Sequence, residues 1–150
     1  MDLAVALLPE GVPSRMLTPV DSTARAYPYL GYRDASAALS WLEQVGFTTL
    51  GRRDGTDGAV LHAEVRYGEV VLILFSADPG APAREPVGAG DGLYLCLPTP
   101  AAVDEWFTRA ISSGGRAVLV PHDIERGGRR ARVFDPEGKE WSVGTYRPGG

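Results

Sequence analysis

Two residues able to exchange protons, His62 and Glu64, lie two positions apart in the segment HAEV. Side chains at this spacing on a β-strand point to the same face of the sheet. Histidine changes protonation near neutral pH and a neighbouring carboxylate can orient its ring, so the pair suits a ligand site as hydrogen-bonding or acid–base groups. The alternative is a solvent-facing pair with Leu61, Ala63 and Val65 packed behind it. Both interpretations stay open.

The second histidine, His122, follows an apolar segment in VPHDIERGG, a context typical of a solvated loop residue. Imidazole and carboxylate are common metal ligands. A metal site built from His62, Glu64 and His122 would draw its ligands from distant segments, and it is the minor alternative.

Four arginines cluster at positions 126, 129, 130 and 132. Guanidinium groups bind carboxylate or phosphate through paired hydrogen bonds. Arginines that alternate along a strand more often form its exposed face, so this interpretation is favoured, and Arg132 alone is kept as a ligand-site candidate. No glycine-rich segment has the form of a phosphate loop, and no serine has a nucleophile-elbow context.

Two similar segments must position these side chains. Shifting the sequence by 65 residues aligns YLGYRDASAALSWL, from Tyr29, with YLCLPTPAAVDEWF, from Tyr94. Each copy predicts one strand, one helix and three more strands. The first copy predicts a strand over 27–33, a helix over 35–44, and strands over 47–53, 58–66 and 69–76. The second predicts a strand over 92–97, a helix over 100–112, and strands over 116–121, 129–134 and 140–146.

Turns and linkers divide the chain. The segment DPEG at 135–138 suits a type I turn, and residues 140–146 then alternate polar and apolar as a half-buried strand should. Residues 1–26, rich in proline and without periodicity, are predicted to form an N-terminal extension. The predicted domain spans 27–147, with module one at 27–76, a linker at 77–91 and module two at 92–147.

This duplicated chain resembles the vicinal oxygen chelate superfamily, which includes glyoxalase I, extradiol dioxygenases and bleomycin-resistance proteins. The resemblance is carried by YLGYRDASAALSWLEQVGF in module one and by GGRRARVFDPEGKEWSVGTY in module two. It implies an α+β fold in which two tandem βαβββ modules form a curved mixed sheet around a cleft, with the helices on the outer face. It also implies a homodimer.

Metal-dependent members of that superfamily carry His or Glu ligands on the first and last strands of each module. Matching the motifs strand by strand gives four positions, which are Tyr27 or Pro28, Leu72 or Ile73, Leu93, and Ser142. None of these residues is a histidine or a carboxylate. If the alignment of one strand is shifted by a residue, only Glu140 or Tyr27 comes near a ligand position. The resemblance therefore implies a member without metal ligands and without another cofactor.

The expected cleft is apolar and aromatic with a few polar groups, which suits a flat or hydrophobic small molecule. Since residues on a strand alternate between two faces, the sequence leaves the register of several strands open. The residues predicted to contact a ligand are Tyr32, His62, Glu64, Leu72, Leu93, Leu95, Arg132, Phe134, Ser142 and Tyr146.

Composition limits the classes of partner. The 150 residues are 44% hydrophobic and 23% charged with a net charge of -4, typical of a soluble globular protein and unsuited to nucleic acid or anionic membranes. Cys96 is the single cysteine, so no internal disulfide forms, and its place in LYLCL predicts a packed thiol. The segment MDLAVALL is too short to span a bilayer, and we expect a cytoplasmic protein.

The leading hypothesis is a metal-independent binding protein, a homodimer that sequesters a hydrophobic or aromatic metabolite or an antibiotic. One alternative is a metal-free cyclase or isomerase of natural-product metabolism. It would use His62 or Glu64 as the base, with Tyr32 or Tyr146 as the donor to an oxyanion. The other alternative is a metal-dependent lyase or dioxygenase whose metal ligands lie at positions other than the four matched above.

Overall fold

The computed structural model describes residues 25–78 and 91–149. Residues 1–24 of the predicted extension and 79–90 of the predicted linker lie outside them. The described elements are β1 (Tyr29–Tyr32), α1 (Ala35–Gln44), β2 (Thr48–Asp54), β3 (Val60–Tyr67), β4 (Val70–Ser76), β5 (Gly92–Cys96), α2 (Pro100–Ser112), β6 (Arg116–Ile124), a single helical turn (Glu125–Gly127), β7 (Gly128–Phe134) and β8 (Glu140–Gly144). No helix in the described ranges is both long and apolar enough to cross a membrane.

Each module forms a four-stranded mixed sheet. The strand orders are β1-β4-β3-β2 in the first sheet and β5-β8-β7-β6 in the second. The first and last strands of each module pair in parallel, and the other neighbours are antiparallel. The α+β fold with two tandem βαβββ modules is therefore confirmed, with its strands divided between two hydrogen-bonded sheets.

Both helices begin and end where their sequences favour it. The side chains of Asp34 and Thr99 accept hydrogen bonds from the backbone N–H three residues later, at 3.0 and 3.1 Å. These N-caps satisfy amides that have no partner within the helix. Gly46 and Gly114 follow the helix ends with φ of 110° and 109°, a conformation in which glycine carries no steric cost.

The two modules share one hydrophobic core. The ring of Trp41 on α1 lies 6.2 Å from that of Trp106 on α2, edge to face, and 5.7 Å from that of Trp141 on β8. The indole N–H of Trp41 donates to the carbonyl oxygen of Ala110 at 3.2 Å. Trp41 and Trp106 are both buried in this core.

The DPEG turn joins the second module to the first. Its backbone closes with a 2.9 Å bond from the amide of Gly138 to the carbonyl oxygen of Asp135. The Asp135 side chain is 1% exposed, and it accepts hydrogen bonds from the Tyr32 hydroxyl at 2.7 Å and the Trp141 indole at 3.1 Å. The amides of Glu137 and Lys139 donate to the same carboxylate at 3.0 Å. A buried carboxylate is thus fully paired, as burial requires.

A second carboxylate of this turn reaches the start of α1. Glu137 accepts the backbone N–H groups of Arg33 and Asp34 at 2.7 and 2.9 Å. These amides precede the helix, where a negative charge is favoured by the helix dipole. We call the contacts of Asp135 with Tyr32 and of Glu137 with these amides the module joint.

Removing the Tyr32 hydroxyl should weaken the module joint. We expect Tyr32→Phe to lower the free energy of unfolding by about 1–3 kcal/mol, because a buried carboxylate loses a donor. Tyr27→Phe is the matched control, since Tyr27 is 52% exposed, and it should change stability by less than about 0.5 kcal/mol. Urea titration of both variants tests this.

The dependence of stability on alkaline pH provides a second test of Tyr32→Phe. Burial, and then the charge and hydrogen bond of Asp135, raise the pKa of Tyr32. The unfolded chain loses this proton near pH 10, about the ordinary tyrosine value, while the folded chain keeps it. The stabilisation is therefore present below about pH 10 and decreases above it. Tyr32→Phe should show a smaller loss of stability above about pH 10, and equal slopes would contradict the burial of this phenol.

Candidate functional site

Each sheet has one face covered by a helix and one open face. On β3 the alternation is clear, because Ala63 and Val65 are fully buried beneath the helix while His62 and Glu64 are half-buried on the other side. Cross-strand pairing extends the same division to the neighbouring strands. The open faces are the surfaces on which a ligand can be bound.

Aromatic and aliphatic side chains occupy the middle of the first open face. Tyr29 on β1 pairs with Ile73 on β4, and both lie on this face. The ring of Tyr29 lies 6.0 Å from that of Phe75, and Tyr29 is 71% exposed. These rings present a flat apolar surface without a partner among the described residues.

A groove of about 410 Å³ runs along the edge of the first sheet, a volume within the range of about 300–1,000 Å³ usual for ligand pockets. Strands β2 and β3 provide its lining, which consists of Leu50, Gly51, Arg52, Arg53, His62 and Glu64. The structure thus brings His62 and Glu64 together in a groove, and a role for the pair in ligand binding stays a prediction.

The histidine and the carboxylate are in direct contact. His62 Nε2 lies 2.7 Å from Glu64 Oε2, with both side chains about half exposed. An ionised carboxylate only accepts hydrogen bonds, so Nε2 is the donor and the Nδ1 lone pair of the neutral ring is left free. The pair can orient a ligand, or accept a proton at Nδ1.

The second open face is more polar and carries several of the predicted ligand residues. Ser142 lies beside Tyr94 in the pairing of β8 with β5. Arg132 donates to the carboxylate of Glu140, and Phe134 pairs with that residue on the same face. Tyr146, which follows β8, is exposed. Hydrogen-bonding groups and aromatic rings therefore alternate across this face.

Tyr94 holds the segment after β8 against β5. Its hydroxyl donates to the carbonyl oxygen of Tyr146 at 2.5 Å. Partial burial, and then the neighbouring Cys96, raise the pKa of the Tyr94 phenol, while Arg130 opposes the shift. A Cβ at Gly144 would lie 2.9 Å from the same hydroxyl, so the glycine leaves room for this ring.

The arginine cluster separates into residues with different surroundings. Arg129 lies on the helix-covered side and pairs with Asp104 at 2.6 Å and Asp123 at 2.8 Å. Arg126 is exposed in the turn before β7, with φ of 60°. Only Arg130 and Arg132 lie on the open face. The favoured interpretation, a uniformly exposed row, is wrong because strand alternation places Arg129 on the opposite face from Arg130.

Four residues predicted to contact a ligand lie on the helix-covered side instead. Leu72 and Leu95 are core residues, and Leu93 packs against the same core. Tyr32 is 2% exposed with its hydroxyl bonded to Asp135, so it cannot be a donor to a ligand oxyanion. The prediction that these four line the cleft was wrong by one residue of register, since Ile73 and Tyr94 lie on the open face in their place.

Two further predictions need correction. Cys96 is exposed on the open side of β5, because the alternation that buries Leu95 and Leu97 turns the thiol outward. His122 lies on β6 rather than in a loop, in register with Arg130. Its Nδ1 is 3.0 Å from the carbonyl oxygen of Val120, a contact in which the ring nitrogen donates.

In the superfamily that this chain resembles, the first and last strands of each module carry the metal ligands. In this protein the same strands carry few side chains that could coordinate a metal ion. The central open-face positions of β1, β4, β5 and β8 are Tyr29, Ile73, Tyr94 and Ser142. Glu140, the one carboxylate on these four strands, is paired with Arg132. No group of three His, Cys, Asp or Glu side chains within 25–78 and 91–149 is arranged to hold a metal ion. The donor set does not fit the family's chelate.

Truncations on the two faces should differ in their effect on stability. Leu72→Ala should cost about 2–5 kcal/mol because it leaves a cavity in the core. His62→Ala and Glu64→Ala should each cost less than about 1 kcal/mol, since an exposed ion pair contributes little. Urea denaturation measures all three, and a large loss in either open-face variant would contradict the assignment of faces.

Comparisons with known proteins agree with this architecture. Residues 21–143 match the model of the Glyoxalase/Bleomycin resistance protein/Dioxygenase superfamily. An uncharacterized protein of Mycobacterium bovis is 31% identical over 121 residues, which cover 78% of this chain and 80% of that protein.

Solved structures extend the likeness to the fold. TioX from Micromonospora sp. ML1 has a TM-score of 0.58 and 25% identity, covering 81% of this chain and 94% of that one. A bleomycin resistance determinant encoded on the transposon Tn5 has a TM-score of 0.59 and 23% identity, covering 83% of this chain and 99% of that one. From the family match, the relative and the shared fold, we conclude that the chain belongs to the glyoxalase/bleomycin resistance protein/dioxygenase superfamily.

Proposed function

We propose that this protein is a metal-independent small-molecule-binding protein that sequesters a hydrophobic or aromatic metabolite or an antibiotic on its open sheet faces. The observation that carries the proposal is the donor set at the four central positions. Tyr29, Ile73, Tyr94 and Ser142 provide two phenols, an alkyl chain and a hydroxyl. These groups contact a ligand through apolar surface and hydrogen bonds, and they lack the charge that a divalent ion requires.

The shape and polarity of the open faces support an aromatic ligand. Exposed rings without partners bury a large apolar area when a flat molecule covers them. The tilted pair of Tyr29 and Phe75 lies on one sheet, and Tyr94 lies on the other. Sequestration needs only this complementarity and desolvation, so it makes no demand for a reacting group.

We also propose a homodimer, formed through exposed apolar surface on and beside the sheets. The two sheets of one chain are not hydrogen-bonded to each other within the described residues. Large exposed hydrophobic residues lie on and beside the strands, including Tyr29, Tyr146 and Val120. Exposed apolar surface of this kind marks an interaction site. The lone cysteine agrees with a reducing compartment such as the cytoplasm.

The contact between His62 and Glu64 favours a second candidate, a metal-free cyclase or isomerase. His62 lines a groove large enough for a substrate, and its contact with Glu64 through Nε2 orients the ring. A base placed in this way can remove a proton from a bound molecule. The sequence offered Tyr32 and Tyr146 as donors to an oxyanion. Of these two residues, Tyr146 is exposed and Tyr32 is buried.

A screen of aromatic natural products by thermal unfolding tests sequestration. A compound at 100 times its dissociation constant should stabilise the protein by about 2.7 kcal/mol and raise the unfolding midpoint. The bound compound should be recovered chemically unchanged after prolonged incubation. Conversion of the compound that is lost in His62→Ala while its binding is kept would instead establish the enzyme, with Arg109→Gln on the distant helix α2 as the control variant.

Sedimentation tests the dimer. We expect a species of twice the 16.0 kDa chain mass at micromolar concentration. Tyr29→Lys should shift the equilibrium toward the monomer, because a charge placed in an apolar interface is costly. Leu61→Lys is the matched control, since Leu61 is also exposed and lies at the register irregularity between β2 and β3. A wild-type monomer at all concentrations would contradict the dimer.

A further inference from the structure

We propose that the ligand carries an anionic group such as a carboxylate, and that Arg130 on the second open face binds it. This inference rests on the proposed small-molecule binding and specifies the class of ligand. From the sequence, the arginines of this segment were expected to form an exposed face, with Arg132 alone as a ligand-site candidate. In the structure, Arg130 differs from the others in its surroundings.

The second open face is positively charged although the chain is acidic. Strand pairing places Arg116, Arg130 and Arg132 on this face, and Glu140 is the only carboxylate on the same face of β5 to β8. The whole chain carries a net charge of -4. The excess of cations is therefore local to the surface that a ligand would cover, where it favours an anion.

Two of the three guanidinium groups already have partners. Arg132 forms an ion pair with Glu140. Arg116 lies over the ring of Phe134, 5.5 Å from its centroid. Neither group needs a ligand to be stabilised, so both are secondary candidates for recognition.

Arg130 differs because it has no carboxylate partner among the described residues. Within the described part of the chain, its guanidinium makes one hydrogen bond, a long contact of 3.4 Å from Nε to the hydroxyl of Ser142. The residue is half-buried, so it has lost part of its hydration without gaining a counter-charge. A guanidinium presents several N–H donors in a planar fork that matches a carboxylate, and an anion bound here would complete its hydrogen bonds.

The neighbours of Arg130 suit an aromatic acid. Gly144 lies opposite it on β8 and adds no side chain, and the Tyr94 hydroxyl lies over that glycine. The Tyr94 ring can stack against an aromatic group while Ser142 donates to the same anion. His122 is in register with Arg130 on the neighbouring strand β6, and within residues 25–78 and 91–149 its ring is hydrogen-bonded through Nδ1 alone.

Benzoate and benzamide distinguish charge from ring binding, since they are similar in size and differ in charge. We would titrate each into the isotope-labelled full chain and follow the side-chain Nε–H signals of the arginines and the backbone amides by NMR. Benzoate should shift the Arg130 signal and the amides of β5, β7 and β8. Benzamide should bind at least about tenfold more weakly, because it lacks the negative charge and the second acceptor oxygen with which a carboxylate pairs with a guanidinium.

Substitutions assign the effect to one residue. Arg130→Gln should weaken benzoate binding by about tenfold or more, and Arg130→Lys should give an intermediate loss because it keeps the charge but not the fork. Arg109→Gln is the matched control, since Arg109 is exposed on α2, pairs with Glu105 and carries the same charge. It should bind benzoate as the wild type does. Unchanged amide signals far from the site show that each variant is folded.

The outcomes separate this inference from the proposed function. Equal shifts with benzoate and benzamide at the open faces would overturn the anionic ligand and leave small-molecule binding intact. An equal loss in Arg109→Gln and Arg130→Gln would also overturn the site, since net charge alone would then explain it. Shifts at no open-face residue with either compound would contradict the proposed function itself.

Discussion

The buried carboxylate of Asp135 is the contact on which the arrangement of the two modules depends. It lies in the turn before β8 and binds a tyrosine that is 103 residues away on β1. The same oxygen accepts the indole N–H of Trp141, so the end of one strand and the start of another are held at one point. Because these donors are held on separate strands, a shift of either strand would take a donor away from a buried charge.

This constraint determines which side chains reach the open faces. With Tyr32 and Trp141 turned toward the core, alternation directs Tyr29 outward on β1 and Ser142 outward on β8. Strand pairing then places Ile73 and Tyr94 beside them. The chemical character of the site, aromatic and hydrogen-bonding rather than chelating, follows from a buried turn that no ligand touches.

The sequence predicted the order and bounds of the strands and helices well. It predicted the side of the sheet to which each side chain points for some strands only. Helix caps, glycines and alternating segments are local signals, so the strands and helices lie close to their predicted bounds. Where one side of a strand is polar, as at His62 and Glu64, the spacing correctly predicted that the two side chains share a face. The segments around Leu72 and Leu95 are apolar at successive positions, so no alternation shows which residue points inward. The burial of Tyr32 depends on a contact with the other module, which no local pattern reveals.

Binding without a chelate is the central claim, and the metal content of the protein tests it most directly. The full chain would be purified without added metal or chelator and measured by inductively coupled plasma mass spectrometry. The structure predicts far less than one metal ion per chain, and an unfolding midpoint that a chelator leaves unchanged. Nickel, zinc or iron at one ion per chain, with a midpoint lowered by the chelator, would contradict the account and require a ligand set that these strand registers do not provide.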